Sequence, residues 1–375
     1  MSRSSGVPEA NGMFNPTRLV LARRRRGLTK TQLATAVGVD RRTLTGYESG
    51  EYIPGPETLP RLAATLKFPD PFFFGDDLEE VAAETASFRS MSKMTAGQRN
   101  MALGQGAIAL HFNQWVEQRF ELPPVSLPDL RHERDPEAAA AALRQHWELG
   151  QQPIKNLLHL VESKGVRVFS LSIDALEVDA FSMWKESVPF VFLNTRKSAE
   201  HSRFDAAHEL GHLVLHRHGA PNGREAELEA DAFASAFLMP RGSVLAHAPR
   251  FATLEQLIRL KRIWTVSVSA LNYRLHALRL LSDWHYRGLC IEISQKGYRK
   301  AEPEEAPRES SQVLAKVFAA LRADGLTKHE VAAQVGVLPS EIDQLAFGLM
   351  LVSMSETAGN SAVRDGKNVR LRLVK

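Results

Sequence analysis

The sequence predicts a mostly α-helical, multidomain protein with an N-terminal helix-turn-helix bundle, an α+β domain containing a small sheet, and a C-terminal helical module. Apolar residues recur at helical spacing through most of the chain, which favours helices. Short apolar segments of strand character lie together at residues 166–171, 180–184 and 188–194, which predicts one small sheet. The chain has 375 residues, of which 44% are hydrophobic, so two or three domains with sizeable cores can form.

Charge and cysteine content limit the possible classes of protein. The net charge is +4, a mild basic excess whose position matters more than its size. The single cysteine, Cys290, excludes an internal disulfide and a multi-cysteine metal site, and it fits a reducing compartment. The chain has neither a signal-peptide pattern nor an apolar run of membrane-spanning length. We therefore expect a cytoplasmic protein with no membrane partner.

Residues 14–75 carry the pattern of a small DNA-binding bundle. Residues 23–26 are four consecutive arginines, and Gly27 then ends the first helix. Thr29 is expected to cap the second helix, and Asp40 the third, which follows a turn at Gly38. Two short helices joined by a glycine-containing turn, beside a basic helix, predict a helix-turn-helix.

The details of this segment resemble the lambda-repressor-type (XRE) helix-turn-helix family. The resemblance rests on Leu33-Ala34, Gly38-Val39 and Tyr47-Glu48-Ser49-Gly50, followed by Pro54. It implies a structural ion pair between Arg23 and Glu48, and a third helix that enters the major groove of double-stranded operator DNA. The alternative is that the arginines form only a solvated face. The expected DNA contacts are Arg41, Arg42, Thr43 and Thr45 at the bases or groove rim, and Lys30 and Gln32 near phosphates.

Two further regions carry no catalytic pattern. Residues 76–150 predict a helical connector that starts near Asp76. Residues 286–375 predict a helical module after a charged, proline-containing linker at 302–307. Within this module, Gly325–Val337 repeats the pattern of Gly27–Val39, but the helix that follows begins without a basic residue. We expect this degenerate helix-turn-helix-like repeat to pack or dimerise rather than bind DNA.

The strongest chemical pattern is His208-Glu209-Leu210-Gly211-His212, within residues 151–285. On a helix, His208 and His212 lie on one face, where two neutral imidazoles can bind one Zn²⁺ ion. Glu209 has the position of the general base of a metallopeptidase.

A third metal ligand is expected from the acidic helix that follows the motif. Glu227 is the preferred ligand and Glu229 the competing one. Asp231, one turn after Glu227, can accept a hydrogen bond from the outer N–H of a ligand histidine and so fix its tautomer. Two histidines and one glutamate leave one coordination position open for water.

These motifs resemble the ImmA/IrrE family of metallo-endopeptidases. The resemblance rests on Ala207–His216 and Glu227–Pro240, and it covers roughly Phe190 to Leu281. It implies a zincin-like fold in which His208, His212 and Glu227 bind zinc and Glu209 is the catalytic base. It also implies a protein substrate, typically a partner repressor in phage, mobile-element or DNA-damage control. His216 matches a frequent family position, which we interpret as packing or support of a ligand.

The leading hypothesis is therefore a DNA-binding regulator fused to a zinc endopeptidase that cleaves a repressor or antitoxin-like protein. It can act as a homodimer. Two alternatives stay open, namely a non-proteolytic transcription factor whose metallopeptidase-like domain is a sensor, and a partner module in a toxin–antitoxin pair. Glu209 favours the enzyme, because a sensor needs metal ligands but no base. Tyr273, Arg274 and His276 are further residues that could assist catalysis, and none of them is assigned.

Overall fold

A computed structural model gives the fold of the chain. It describes residues 12–81, 87–88, 94–171, 180–217, 223–346, 348–350 and 372–373. Helices dominate these residues and a small mixed sheet accompanies them, which confirms the predicted fold class. Within these ranges, no helix is both long and apolar enough to cross a membrane.

The N-terminal helices form the predicted helix-turn-helix bundle. Thr29 caps the second helix in a reciprocal capping box with Gln32, and Asp40 caps the third. Arg23 Nε lies 2.5 Å from Glu48 Oε1, which confirms the ion pair that the family resemblance implies. The elements are α1 (Pro16–Arg25), α2 (Lys30–Val37), α3 (Arg41–Ser49), α4 (Thr58–Leu66) and a 3-10 helix (Asp70–Phe74).

The connector is part of the core rather than a separate arm. No helix starts near Asp76, so that expectation is wrong, and residues 76–81 contain neither helix nor strand. The long helix α5 (Ala96–Glu117) instead packs against α1. A Cβ on Gly104 would lie 2.9 Å from the Arg25 Cα, so glycine is needed where the two helices cross. Further along the chain are β2 (Phe120–Glu121), α6 (Pro136–His146) and α7 (Leu157–Ser163).

One four-stranded sheet lies beside the motif helix. Its strands are β1 (Ser87–Phe88), β3 (Arg167–Ser170), β4 (Ala180–Lys185) and β5 (Val188–Leu193). Their order is β1-β4-β5-β3, where β3 is parallel to β5, while β4 is antiparallel to both β5 and β1. The three strands predicted from sequence are confirmed. The two-residue β1 was not predicted, because so short a strand carries no periodic pattern.

In the part of the chain that the structure describes, six helices lie between β5 and the proline-containing linker at 302–307. The motif helix α8 (Ala199–Leu215) packs on β4 and β5, and α9 (Arg224–Leu238) packs against α8. Four more helices follow α9 along the chain. They are α10 (Arg241–His247), α11 (Leu254–Trp264), α12 (Val268–Ala277) and α13 (Asp283–Gln295).

The C-terminal module folds back onto the rest of the molecule. It comprises α14 (Gln312–Ala323), α15 (Lys328–Val335) and α16 (Pro339–Ala346), and a short strand β6 (Arg372–Leu373) pairs with β2. The α15 capping box, Thr327 with Glu330, repeats the α2 pattern. Helix α16 packs against α5 and β3 and buries Glu341, Ile342 and Leu345. Ser340 and Asp343, at the positions that match Arg42 and Thr45 of α3, are exposed, so α16 is buried along one face only.

Candidate metal centre

Close packing of α8 and α9 builds the centre. Ser198 caps α8, and His208, Glu209 and His212 are all buried on it. A Cβ on Gly211 would lie 3.0 Å from Phe233 Cδ1 and 3.3 Å from the Ala230 Cα, so glycine lets α9 approach the motif. This approach brings the acidic residues of α9 to the two histidines.

Potential ligand atoms of three residues on these helices lie close together. His208 Nε2 lies 3.1 Å from His212 Nε2, and the two nitrogens each lie 3.4 Å from a different carboxylate oxygen of Glu227. These three residues form a group that could hold a metal ion. Glu229 is not in this group, because its carboxylate contacts His216 instead. The geometry thus favours Glu227 over Glu229 as the third ligand.

A second set of hydrogen bonds orients both imidazoles. His208 Nδ1 lies 2.9 Å from Asp231 Oδ1, so its N–H can donate outward and leave the Nε2 lone pair for a metal. His212 Nδ1 lies 3.0 Å from His216 Nδ1, and His216 Nε2 lies 2.8 Å from Glu229 Oε2. If His212 donates to His216 and His216 donates to Glu229, these hydrogen bonds place the His212 proton on Nδ1 and leave its Nε2 lone pair free for a metal. His216 and Glu229 are therefore placed to orient His212.

Burial and charge prepare the side chains for these roles. Burial lowers the pKa of His212 to about 4, so the imidazole is neutral and can ligate at pH 7. Burial opposes ionisation of Glu227, but hydrogen bonds and charge from His208 and His212 overcome it and lower its pKa to about 2. The site therefore combines a neutral His212 imidazole with an ionised Glu227 carboxylate, and both protonation states are able to bind a metal.

Glu209 is fully buried and only partly satisfied. Its Oε2 accepts a hydrogen bond from Ser182 Oγ at 2.7 Å, whereas its Oε1 has no hydrogen-bond partner within the described residues. Burial raises the pKa of Glu209 to about 8. A buried carboxylate oxygen without a partner is costly, so it is suited to a proton or a water molecule at the metal.

Ser182 is a contact that the sequence analysis missed. It lies on β4, and nothing in the local pattern distinguishes it from other strand residues. Trp184, two residues later, donates from Nε1 to the Leu213 carbonyl at 3.0 Å, so β4 is held along α8 at two points. Because side chains alternate along a strand, the sequence could have indicated that Ser182 and Trp184 lie on the same face of the sheet. It could not indicate that α8 packs on that face.

The three unassigned residues on α12 have other roles or positions. Arg274 is buried, donates to the Met239 carbonyl and pairs with Glu137 through two hydrogen bonds. His276 pairs with Asp283 at 2.7 Å. Tyr273 is half exposed. Arg274 therefore holds α12 against α6 and α9, which is a structural role.

The predicted DNA contacts lie on one part of the bundle, with different surroundings. Arg41, Arg42, Thr45 and Gln32 are exposed, and Thr43 is half-buried. The Thr43 hydroxyl bonds Asp40 at the cap of α3, and the Thr45 hydroxyl bonds the Arg41 carbonyl. Lys30 Nζ lies 3.1 Å from Glu48, so its charge joins the Arg23–Glu48 pair.

Comparison with known protein families agrees with both parts of this architecture. Residues 161–276 match the model described as IrrE N-terminal-like domain, a peptidase family, and residues 19–73 match the model described as Helix-turn-helix. No curated protein matches the chain. These matches define the class, a DNA-binding regulator fused to a peptidase-like domain. Within it, the chain combines an XRE-type helix-turn-helix with an IrrE/ImmA-like metallopeptidase domain, as its motifs predicted.

Proposed function

We propose that this protein is a zinc-dependent endopeptidase that switches gene expression by cleaving a repressor or antitoxin-like protein near its operator. The observation that carries the proposal is that His208 and His212 of α8 lie close to Glu227 of α9. Glu209, a buried glutamate, lies beside them on α8. A domain that only senses metal would need the three ligands but not the buried base.

The donor atoms suit zinc. Zinc–ligand bonds of about 2.0–2.1 Å at tetrahedral angles separate two ligand atoms by about 3.3 Å. Here the two Nε2 atoms are 3.1 Å apart, and each lies 3.4 Å from a Glu227 oxygen. Three protein ligands leave the fourth position that catalytic zinc keeps for water.

The residues around this site divide the work of peptide hydrolysis. When bound, zinc would acidify a water molecule and polarise the scissile carbonyl. Glu209 accepts the proton of the attacking water and delivers it to the leaving amine. Ser182 holds Oε2, which leaves Oε1 for the proton.

The helix-turn-helix gives the cleavage a location. We propose that α3 binds the major groove of operator DNA, where a guanidinium can read guanine, and that two copies of the chain occupy two half-sites. The protein would then act in the cytoplasm, next to the genes that it controls. The contacts proposed are Arg41, Arg42, Thr43 and Thr45 on α3, with Gln32 and Lys30 near the phosphates.

The first test compares the wild type with Glu209→Gln and with Glu225→Gln, an exposed residue on α9. Metal content is measured by mass spectrometry, and cleavage is measured on repressor proteins encoded beside the gene. We expect the wild type and both variants to bind about one zinc each. We expect Glu209→Gln to lose cleavage by roughly 10²–10⁴-fold, because the base is lost while the ligands stay, and Glu225→Gln to remain active.

The contrary result is equally specific. If the zinc-loaded wild type cleaves none of these proteins, or if Glu209→Gln cleaves as fast as the wild type, the endopeptidase proposal is wrong. Complex formation with a neighbouring protein in the absence of cleavage would then support the partner-module alternative.

A further inference from the structure

The outer edge of β4 is covered by the chain's own strand β1. Ser87 stands opposite Ser182, and Phe88 stands opposite Phe181, in antiparallel register. Without β1, β4 would be the edge strand of the sheet, because the order continues β4-β5-β3. An edge strand offers unpaired main-chain groups to any extended peptide.

This covered edge is next to the candidate catalytic residues. Ser182, which faces Ser87 across the ladder, donates its hydroxyl hydrogen to Glu209 at 2.7 Å. Opposed residues in an antiparallel pair have their Cα atoms about 4.5–5.5 Å apart. A substrate peptide that adds to the sheet beside α8 would therefore need the position that β1 holds.

Residues just before β1 anchor it to the same strand. Glu79 forms an ion pair with Lys185, the last residue of β4. Val81 is buried, and a Cβ on Gly106 of α5 would lie 3.2 Å from Val81 Cγ2 and 3.5 Å from Phe181 Cζ. Glu79 thus contacts the last residue of β4, and Val81 and Phe181 both approach Gly106 of α5.

We infer that β1 is an inhibitory strand, which occupies the substrate-binding edge of the peptidase domain until a longer extended segment of a partner protein displaces it. This inference rests on the proposed endopeptidase function. Within the described residues, the ladder between β1 and β4 spans two residue pairs, so a partner segment that pairs along all of β4 forms more main-chain hydrogen bonds and can replace it. Because β1 lies between the DNA-binding helices and α5, substrate entry is coupled to the connector that joins the two activities.

The inference can be tested by binding, without catalysis. The probe is a fluorescein-labelled peptide with the sequence of residues 82–93, added to full-length, zinc-loaded protein that carries Glu209→Gln. One variant adds Ser87→Pro and Phe88→Pro, since proline cannot donate to a ladder. A matched pair compares Glu79→Gln, which removes the contact with β4, with Glu80→Gln, whose carboxylate instead lies 3.5 Å from Arg24 of α1.

A strand tethered in the same chain competes at high effective concentration. We therefore expect the double-proline variant to bind the peptide roughly tenfold or more tightly than the chain with its native strand. Glu79→Gln should shift binding in the same direction by a smaller factor, and Glu80→Gln should not shift it. A probe that itself contains the two prolines should not bind. Equal affinity of all the variants for the native probe, or no binding to any of them, would overturn the inference.

A catalytic arm separates this inference from the proposed function. With Glu209 restored, the double-proline variant should cleave a repressor substrate several-fold faster than the wild type, and the native peptide should inhibit that cleavage. Equal rates for the two proteins would show that the enzyme is real and that β1 does not inhibit it. Tighter peptide binding by the proline variant, with no cleavage by any variant, would support the covered edge and contradict the peptidase.

Discussion

At the scale of single residues, the choice between Glu227 and Glu229 decides what the site is. The two carboxylates are two positions apart on α9, and both lie close to histidines. Glu227 faces both Nε2 atoms, whereas Glu229 pairs with His216, which in turn contacts His212. We therefore propose Glu227 as the ligand and Glu229 as a group that orients His212 through His216.

These roles predict different losses of metal affinity. We expect Glu227→Gln to abolish stable zinc binding, because two imidazoles alone bind zinc weakly. We expect Glu229→Gln to weaken zinc binding only about 10–100-fold, the usual cost of losing a group that orients a ligand. Competition with a zinc-binding dye and the zinc-induced rise in melting temperature measure both effects. A zinc-loaded Glu227→Gln beside a zinc-free Glu229→Gln would reverse the assignment.

Some site residues could be predicted from the sequence and others could not, because only some of their contacts are local in the chain. His208, Glu209 and His212 lie within two helical turns, so the helix period alone places the imidazoles on one face. Glu227 needed the packing of α9 on α8, which the sequence could only narrow to two candidates. Ser182 lies 27 residues from Glu209 on a strand, and its contact depends on how a sheet packs under a helix, which has no local signal.

At the scale of elements, the charged linker connects the N-termini of several helices. It consists of Glu302–Glu309, and its carboxylates accept hydrogen bonds from the first backbone N–H groups of three helices. A carboxylate at a helix N-terminus satisfies free N–H groups and interacts favourably with the helix dipole. The sequence predicted a linker there, because proline and charge are typical of exposed segments. The contacts are Glu302 with Val268 of α12, Glu305 with Ala199 of α8, and Glu309 with Leu157 and Leu158 of α7.

Glu162 on α7 makes the same kind of contact with the C-terminal module, but it is buried. It accepts hydrogen bonds from the backbone N–H of Gln312, at 2.8 Å, and of Val313, at 3.3 Å, and from the Ser311 hydroxyl. Burial raises the pKa of Glu162 to about 7, although these hydrogen bonds and the charge of Arg167 oppose the shift. The junction between α7 and α14 therefore contains a carboxyl group that titrates near neutrality.

This shift predicts how stability depends on pH. Because the folded pKa of Glu162 lies above the unfolded value of 4.5, the protonated group favours the folded state. That contribution is complete below about pH 4.5 and is lost as the pH rises through about 7. We expect Glu162→Gln, which cannot ionise, to gain about 1–3 kcal/mol relative to the wild type between pH 5 and pH 8.

Thermal unfolding of the wild type, Glu162→Gln and the exposed control Glu255→Gln at several pH values measures this difference. Groups that titrate in all three proteins cancel in the comparison. If the stability difference between the wild type and Glu162→Gln stays constant over this range, the pKa of Glu162 is not raised in the folded protein.

At the scale of the whole molecule, the four consecutive arginines join its two ends. Arg23 pairs with Glu48 inside the bundle, and Arg24 contacts the exposed Glu80. Arg25 and Arg26 both bind Glu341 of α16, at 3.1 Å and 2.6 Å. Three of the four arginines therefore pair with acidic residues that are almost fully buried, whereas Arg24 is exposed. The sequence could not indicate this, because the partner of Arg25 and Arg26 lies more than three hundred residues away.

The buried pair of Arg25 and Glu341 predicts a specific stability pattern. Their side chains are only 2% and 1% exposed, so Glu341→Gln leaves a buried guanidinium without its counter-charge. We expect a loss of about 3–5 kcal/mol in the free energy of unfolding. The exposed pair of Arg24 and Glu80 is the control, since Glu80→Gln should cost about 0–1 kcal/mol.

Replacing both buried charges tests whether the ion pair itself stabilises the fold. The alternative is that stability is lost only when one charge is left without its partner. We expect Arg25→Met with Glu341→Leu to recover part of the stability lost by Glu341→Gln, because Arg25 is no longer buried without a counter-charge, whereas Arg26 still loses Glu341. Urea unfolding followed by tryptophan fluorescence measures the wild type and these three variants. Equal costs for Glu341→Gln and Glu80→Gln would mean that α16 does not hold the helix-turn-helix domain against α5. The C-terminal module would then be free to separate from the DNA-binding end.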